Sequence, residues 1–419
     1  MLDFSDAPYQ FFPPKPSSMV LGLARWLNRA FFLPGQEHRI VEVHISGDTE
    51  TLPELQASPR TRLLYIVNHP THGDPYTMLE IQRRLGLKSH FMAAYEVFLR
   101  SKLNAWVMQR VGAFSIDREG SDRKAISTAC DILIAGDYGL TIFPEGNVHL
   151  TNDIVTPFLE GASFIATRTQ KSLGTDANIL AVPISLKFSN LEDIRPQVRG
   201  SIDKLASVVG DSFDQNAPVT DELLRIGSQL LARNLTQRGF LTKQDQDKSH
   251  DSKSLTGALL ESANRILDGL EPKMEIQPKP SDSTQDRVKR IRAAIHKILS
   301  DPEKEIDHRT ARSWADEALL VIRILGYCTP YVRDNPTLDR VAETVEKLNE
   351  DLHNRIFFPE GKRSVTAHFG QPINVAELMA EHAKPRAAIS ALNTGLETAV
   401  QAGIDHINAS LDTKGSRPF

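Results

Sequence analysis

The chain has 419 residues, of which 40% are hydrophobic and 24% are charged, so it is long enough to bury a large core in one or two domains. Lys and Arg together number 49 against 53 Asp and Glu, and the formal net charge of -4 argues against a protein that neutralises nucleic acid along its length. The longest stretch without a charged residue, Ser364 to Ala376, has 13 residues and is too short to cross a membrane as a helix.

The cysteine content and the amino terminus both fit a reducing compartment. Cys130 and Cys328 are the only cysteines and no Cys-x-x-Cys motif occurs, which argues against a disulfide framework or a thiolate zinc site. The segment Met1 to Asp6 carries acid where a secretory signal carries base. We therefore expect a cytoplasmic protein.

The first predicted element is an amphipathic helix near the amino terminus. Apolar residues repeat at helical spacing over residues 20–31, with Trp26 and Phe32 alongside. Arg25 and Arg29 are long enough to reach toward lipid head groups. Such a helix can lie in a membrane interface or pack on the protein's own core, and the sequence leaves both interpretations open.

Three short apolar runs, each followed by a proline, predict buried strands. They cover residues 63–67, 140–143 and 179–182. A helical pattern over residues 124–134 lies between the first two. Alternating strands and helices predict an α/β fold in which helices flank a mixed, largely parallel sheet.

Strand patterns largely disappear between residues 191 and 363, where helical spacing takes over, for example at 288–299 and 338–352. We interpret residues 191–363 as a mostly helical insertion, with flexible polar links near 242–253 and 272–286. A further strand is predicted at 365–370 and a last amphipathic helix at 385–408. The predicted main domain therefore comprises residues 1–190 and 364–419.

The segment Asn-His-Pro-Thr-His-Gly-Asp-Pro, directly after the first strand, holds the candidate catalytic residues. A histidine acts as a general base when a carboxylate fixes the orientation and tautomer of its ring. In a continuous helix, His69 and Asp74 would lie about 140° apart and could not touch. Because Pro70, Gly73 and Pro75 favour a turn instead, we expect the two side chains to meet across that turn.

The same residues also allow structural interpretations that do not involve catalysis. Asp74 can cap a helix that begins at Pro75, and this role is compatible with orienting His69 because a carboxylate has two oxygens. The same spacing recurs from His296 to Asp301, but there the histidine lies inside an amphipathic run without a preceding strand. We interpret His296 as part of a solvated helix face.

Three further blocks follow in chain order. They are Gly-Ala-Phe-Ser-Ile-Asp-Arg at 112–118, Phe-Pro-Glu-Gly at 143–146 and Ala-Val-Pro-Ile at 181–184. With these blocks and the pair His69 and Asp74, the chain resembles the PlsC-like glycerolipid acyltransferase family. The motifs of that family are His-x4-Asp, Gly-x-x-Phe-x-Ile-Asp-Arg-like, Phe-Pro-Glu-Gly and Val-Pro-x-x. The resemblance covers roughly residues 60–190 and resumes at 363–373.

The resemblance implies a glycerol-3-phosphate acyltransferase-like fold and an O-acyltransferase of phospholipid synthesis. The enzyme would move a fatty acyl group from a thioester, acyl-CoA or acyl carrier protein, to a hydroxyl of a glycerol-phosphate-like or lysolipid acceptor, without a further cofactor or a metal. His69 would take the hydroxyl proton, and Asp74 would stabilise the imidazolium that forms.

The resemblance also implies a substrate-binding set. A guanidinium is well suited to an anionic group of the acceptor. The implied residues are Arg118, Phe143, Pro144, Glu145, Gly146 and Asn147. Taken alone, Arg118 is equally compatible with a surface ion pair, and Phe-Pro-Glu-Gly with an ordinary turn.

The sequence departs from the family pattern after Phe-Pro-Glu-Gly, where Thr or Ser and then Arg commonly follow. Here Asn147, Val148 and His149 follow, so a cationic contact to the acceptor is missing. A basic residue elsewhere could substitute for it. The candidates are Arg123, Arg168 and Lys171.

A second Phe-Pro-Glu-Gly occurs at 358–361 and is followed by Lys362 and Arg363. No block that resembles Gly-x-x-Phe-x-Ile-Asp-Arg occurs between His296 and this second motif, which leads directly into a predicted strand. We interpret it as a coincidental turn and leave open whether Lys362 or Arg363 lies near the active cleft.

Residues 81–126 hold nine Lys or Arg against four Asp or Glu, a local excess of +5. This excess suits an anionic lipid surface or the phosphates of CoA, and it is equally compatible with solvated helix faces. A peripheral position on the inner face of the membrane is therefore one option for the predicted cytoplasmic protein.

Two other function classes compete with acyl transfer. A non-catalytic lipid- or partner-binding protein on the same fold would use the helical insertion for docking, but it would not need the pair His69 and Asp74. A metal-dependent hydrolase could use His69, His72 and Asp74, but Pro75 stands where the metallo-β-lactamase-like pattern has another histidine.

Overall fold

The computed structural model describes residues 9–118, 122–214, 216–241, 252–279, 282–299, 308–327, 331–353 and 355–419. The acidic amino-terminal segment at residues 1–6 lies outside the described residues, and so does nearly all of the predicted link at 242–253.

An eight-stranded sheet lies at the centre of the fold. Its order is β1-β7-β6-β2-β5-β3-β4, with β8 paired to β6. Neighbouring strands are parallel except that β6 runs antiparallel to β7 and β8, so the sheet is mixed and largely parallel, as predicted. The strands are Ile40–Gly47 (β1), Thr61–Val67 (β2), Ser89–Ala94 (β3), Ala113–Ile116 (β4), Gly139–Ile142 (β5), Asn178–Asn190 (β6), Arg363–Phe369 (β7) and Ile373–Asn374 (β8).

Helices alternate with the strands as far as β6. They are Ser18–Leu27 (α1), Leu52–Ala57 (α2), Asp74–Arg84 (α3), Tyr95–Leu99 (α4), Lys102–Arg110 (α5), Arg123–Ala135 (α6) and Gly161–Leu173 (α7). A π-helical turn, Asn28–Phe32, extends α1. The alternation of parallel strands and helices is the α/β arrangement that the sequence predicted.

Between β6 and β7 the described residues form helices and turns, without a strand of the sheet. The helices are Arg195–Val208 (α8), Val219–Gln237 (α9), Ser252–Leu270 (α10), Thr284–Leu299 (α11), His308–Tyr327 (α12), Tyr331–Asp334 (α13) and Leu338–His353 (α14). The predicted link at 272–286 contains a 3-10 turn, Pro272–Met274, and the first residues of α11. The chain ends with Val375–Ala380 (α15) and Pro385–Ser410 (α16).

The sequence of strand β2 is an uninterrupted apolar run because both faces of the strand are covered. Leu64 and Ile66 belong to the core that packs under α6, α7 and α16, whereas Leu63, Tyr65 and Val67 belong to the core on the opposite face. Successive side chains of a strand point to opposite faces, so a strand covered on both sides must be apolar at every position.

The helical segment has cores of its own. One is formed mainly by α9, α10, α11 and α12, and another by α8, α9 and α14. Among the described helices, none is both long and apolar enough to cross a bilayer.

We predict that Leu392→Ala lowers the free energy of unfolding by about 2–5 kcal/mol, because it removes a fully buried side chain of α16 from the core under the sheet and leaves a cavity. Chemical denaturation measures this difference. The control is Leu103→Ala on α5, where the leucine is 70% exposed and the expected change is within about 0.5 kcal/mol. Equal effects of the two variants would contradict the core assigned to α16.

Candidate active site

The candidate catalytic loop lies at the carboxyl end of β2, between that strand and α3. Ligands of open α/β sheets bind at such strand ends. The Asn68 side chain accepts a hydrogen bond from the Leu186 amide at 2.7 Å and donates to the Leu186 carbonyl at 2.9 Å. These two bonds fix the start of the loop to β6, and the proline and glycine residues that follow turn the chain back into α3.

His69 and Asp74 meet across this turn. The Nδ1 atom of His69 lies 2.7 Å from an oxygen of Asp74, whose side chain is fully buried, whereas the His69 side chain is 18% exposed. A carboxylate that accepts from Nδ1 leaves Nε2 as the ring nitrogen able to take a proton. The arrangement can therefore serve general base chemistry.

Thr71 holds the Asp74 carboxylate from the other side. The Thr71 amide donates to one oxygen at 3.0 Å and the Thr71 hydroxyl donates to the other at 2.9 Å. Asp74 is also the first residue of α3. The N-cap is Gly73, so the prediction that Asp74 caps a helix beginning at Pro75 is wrong, although the negative charge of Asp74 is favourable in the first turn of the helix.

Glu145 fixes the backbone of His69. One of its carboxylate oxygens accepts from the His69 amide at 2.7 Å, and the other accepts from the Thr156 amide at 3.1 Å. Burial raises the pKa of the Glu145 carboxyl, although the hydrogen bonds from these two amides lower it in part. Glu145 therefore ties the Phe-Pro-Glu-Gly block to the catalytic loop.

The rest of this block lies against the same histidine. The Phe143 ring stacks on the His69 ring with 4.6 Å between centroids, and the Pro144 carbonyl accepts from the Leu159 amide at 2.9 Å. Gly146 has φ +77°, a conformation that favours glycine, which accounts for glycine at the end of the block.

Arg118 lies beside the block and binds it directly. Its guanidinium donates to the Gly146 carbonyl at 3.1 Å and to the Asn147 side-chain oxygen at 2.6 Å, and it lies 3.4 Å from a carboxylate oxygen of Glu96. Asn147 thus contacts Arg118 through its side chain. Binding of the acceptor by these residues stays a prediction.

The helical segment reaches the catalytic loop through α14. Nε2 of His72 lies 3.1 Å from a carboxylate oxygen of Glu350, and the pair is largely buried. Burial alone would raise the pKa of Glu350, but the hydrogen bond and the charge of His72 outweigh it and lower that pKa. Glu350 is not among the residues predicted from the sequence, although acids repeat at helical spacing along α14, at Asp339, Glu343, Glu346 and Glu350.

The interpretation of His296 as part of a solvated helix face is wrong. His296 is only 8% exposed, and its Nε2 lies 3.3 Å from a carboxylate oxygen of Asp117. The periodicity of α11 indicated which residues face its own helical core, but it carried no information about a second contact with the sheet domain next to Arg118. Asp301 lies outside the described residues.

The second Phe-Pro-Glu-Gly borders a cavity of about 190 Å³ between β6, α8 and α14, which Thr71 also lines. The two basic residues that follow it differ in their surroundings. Lys362 is exposed and pairs with Glu192 at 3.2 Å. Arg363 is buried, donates to the His38 carbonyl, and lines the same cavity as Thr71 of the loop. Of the two, Arg363 is therefore the one near the catalytic loop.

A metal-dependent hydrolase needs several ligand side chains grouped around one metal ion. Within the part of the chain that the structure describes, groups of three or more His, Cys, Asp or Glu side chains placed to hold a metal ion do not occur. The hydrolase alternative therefore gains no support from the site.

Comparison with known families agrees with the fold. Residues 42–187 match the family model described as Acyltransferase, a range that contains His69, Asp74, Arg118 and Glu145. The match supports an acyltransferase domain in this part of the chain, of the kind that the sequence motifs indicated. A search of curated proteins found no match.

We predict that Glu145→Gln lowers the free energy of unfolding by about 1–3 kcal/mol. The amide nitrogen of glutamine cannot accept from an N–H group, so one buried backbone donor, of His69 or Thr156, loses its partner. Thermal or chemical denaturation measures the change. The exposed Glu381→Gln is the control, with an expected effect within about 0.5 kcal/mol. A Glu145→Gln variant as stable as the control would contradict this role.

Proposed function

We propose that this protein transfers a fatty acyl group from an acyl thioester, carried on CoA or acyl carrier protein, to a hydroxyl of a glycerol-phosphate-like or lysolipid acceptor in phospholipid synthesis. We further propose that residues 1–190 and 364–419 act as one acyltransferase domain and that residues 191–363 are an insertion into it. Support comes from the family domain and from the strand β7, which joins the sheet after the helical segment.

The contact between His69 Nδ1 and Asp74 carries the proposal. In the proposed reaction, Nε2 of His69 takes the hydroxyl proton while the hydroxyl oxygen attacks the thioester carbonyl. The carbon–sulfur bond then breaks, and the leaving thiolate receives that proton from the imidazolium. Asp74 stabilises the imidazolium throughout, because its carboxylate is buried and in direct contact with the ring.

We predict that His69→Ala and His69→Gln each lower kcat for acyl transfer by about 10²–10⁴-fold, the usual contribution of a positioned general base. Glutamine keeps a hydrogen-bond donor for the buried Asp74, so it separates loss of the base from loss of stability. The assay measures thiol release from a panel of acyl-CoA and acyl carrier protein thioesters, with and without glycerol 3-phosphate or lysophosphatidate.

The control for this test is His44→Ala, which changes an exposed histidine on β1 and should leave kcat unchanged. Wild-type kcat in a folded His69→Gln variant would contradict the mechanism, whereas absence of thiol release by the wild type with every thioester and acceptor would favour a non-catalytic binding protein. Thiol release that is independent of every acceptor would favour a hydrolase.

We also propose that the amino-terminal helix and α5 form a surface for an anionic membrane, on its cytoplasmic face. Helix α1 buries none of its residues completely, and the amide of Ser17 bonds to the Arg110 carbonyl at the end of α5. The two helices with their flanking residues expose apolar side chains and cations together. The exposed side chains are Met19, Leu23, Trp26, Phe31, Leu99, Leu103 and Trp106, with Lys15, Arg29, Arg100 and Lys102.

We predict that the double variant Trp26→Glu and Leu103→Glu lowers the affinity for anionic lipid vesicles at least about tenfold, because each side chain loses the free energy of apolar burial and each glutamate repels the surface. Vesicle sedimentation measures the affinity. The control is Leu260→Glu on α10, an exposed leucine outside the proposed surface. The proposal would be contradicted if the wild-type protein does not bind anionic vesicles, or if the double variant binds them with the same affinity as the control variant.

A further inference from the structure

Glu350, near the end of α14, joins two loops through one buried carboxylate. Its two oxygens lie 3.1 and 3.3 Å from Nε2 of His72, and the nearer oxygen also accepts from the Phe357 amide at 3.0 Å. The Glu350 side chain is 4% exposed. His72 belongs to the candidate catalytic loop, and Phe357 stands directly before the second Phe-Pro-Glu-Gly. The carboxylate therefore holds both loops against the helical segment.

This contact gives the two histidines of the loop different roles. Burial raises the pKa of Glu350, but the hydrogen bond and the charge of His72 outweigh it, and the lowered pKa keeps the carboxylate ionised near neutral pH. An ionised carboxylate only accepts hydrogen bonds, so Nε2 of His72 must be the donor. His72 is therefore fixed by α14 through Nε2, whereas His69 is fixed by Asp74 through Nδ1.

The neighbours of His72 in the loop are the residues that hold Asp74. Thr71, directly before it, donates to both oxygens of Asp74, and Gly73, directly after it, is the N-cap of α3. The Gly73 amide donates in turn to the Thr71 hydroxyl at 3.1 Å. The backbone at position 72 therefore cannot shift without moving the groups that bind Asp74.

Helix α14 is a fixed support for this contact. At its start, an oxygen of Asp339 accepts from the amide of Asn190 at 2.9 Å, at the end of β6. The next residue, Arg340, donates to Asp153 at 2.6 Å, and both side chains of this pair are largely buried. Glu350 lies about 16 Å further along the helix axis. Because breaking a buried polar contact leaves an unpaired group, these anchors restrict where the helix can place Glu350.

We infer that Glu350 is a positioning residue for acyl transfer: through His72 it holds the candidate catalytic loop in the conformation in which Asp74 orients His69. This inference rests on the proposed function and extends its site to the helical segment. A displacement of about 1 Å in the reacting groups can lower a rate about a hundredfold, so loss of the contact should act on kcat. Substrate affinity should change little, because His72 and Phe357 are outside the predicted substrate-binding set.

The kinetic test compares wild type with Glu350→Ala. We expect kcat for acyl transfer to fall about ten- to hundredfold, whereas the KM values for the thioester and the acceptor change by less than about threefold. Glu350→Gln keeps one side-chain oxygen that can accept from His72 and Phe357, so it should recover most of the lost kcat. An unchanged kcat in Glu350→Ala, or a loss that appears only in KM, would overturn the inference.

A double-mutant cycle shows whether Glu350 acts through His72 or through the Phe357 amide. If it acts through His72, His72→Ala should lower kcat by a similar factor, and the double variant should lose little more than either single variant. Losses that multiply in the double variant would mean that the two residues act independently, and they would overturn the inference.

The matched control is Glu261→Ala, the same substitution at an exposed glutamate of α10 in the helical segment. It should leave kcat and both KM values unchanged. A fall in kcat in this variant equal to that in Glu350→Ala would show that the effect is not specific to the contact with His72.

Hydrogen exchange separates this inference from the proposed function, because it does not depend on turnover. In Glu350→Ala, the backbone amides of residues 69–74 should exchange about tenfold faster than in wild type, since the loop loses a buried, charged hydrogen bond. Amides of α16 should keep their wild-type exchange, which a general loss of stability would not allow. Absence of acyl transfer by wild type would contradict the proposed function, whereas unchanged exchange of residues 69–74, or an equal increase in α16, would contradict the role of Glu350.

Discussion

The burial of the Asp74 carboxylate is the constraint from which the rest of the site follows. Burying a carboxylate completely is unfavourable unless hydrogen bonds replace those it made with water. Thr71 and His69 provide these partners, so the loop must close around Asp74 in one conformation. The Glu145 carboxylate accepts a hydrogen bond from the backbone amide of His69. The histidine is therefore held at both its ring and its amide.

The elements that could be predicted from the sequence are those that local chemistry determines. Strand β2 is apolar at every position because both its faces are covered, and the turn residues after it force His69 and Asp74 together. Strand β1 was not predicted, because its run Ile-Val-Glu-Val-His-Ile mixes charged and apolar residues. Its burial depends on β7, which is remote in sequence, and no local pattern carries that information.

The contacts between the helical segment and the rest of the chain likewise could not be predicted from local sequence patterns. Helical periodicity identifies the apolar stripe that packs within the segment, but His296 and Glu350 are polar residues that meet Asp117 and His72 across long separations in the chain. A charged residue on a helix is by default a solvated one. These helices therefore contact the candidate site through side chains that their sequence pattern assigns to solvent.

The position of β7 between β1 and β6 has a consequence for biosynthesis. A ribosome delivers β1, β2 and β6 before it has made the helical segment, and it makes β7 only afterwards. Until then, β1 lacks its hydrogen-bonded neighbour and β6 presents an open edge, the kind of surface that invites pairing with other chains. Completion of the sheet is therefore a late, non-local event, and the nascent chain needs protection from aggregation during the synthesis of the intervening helices.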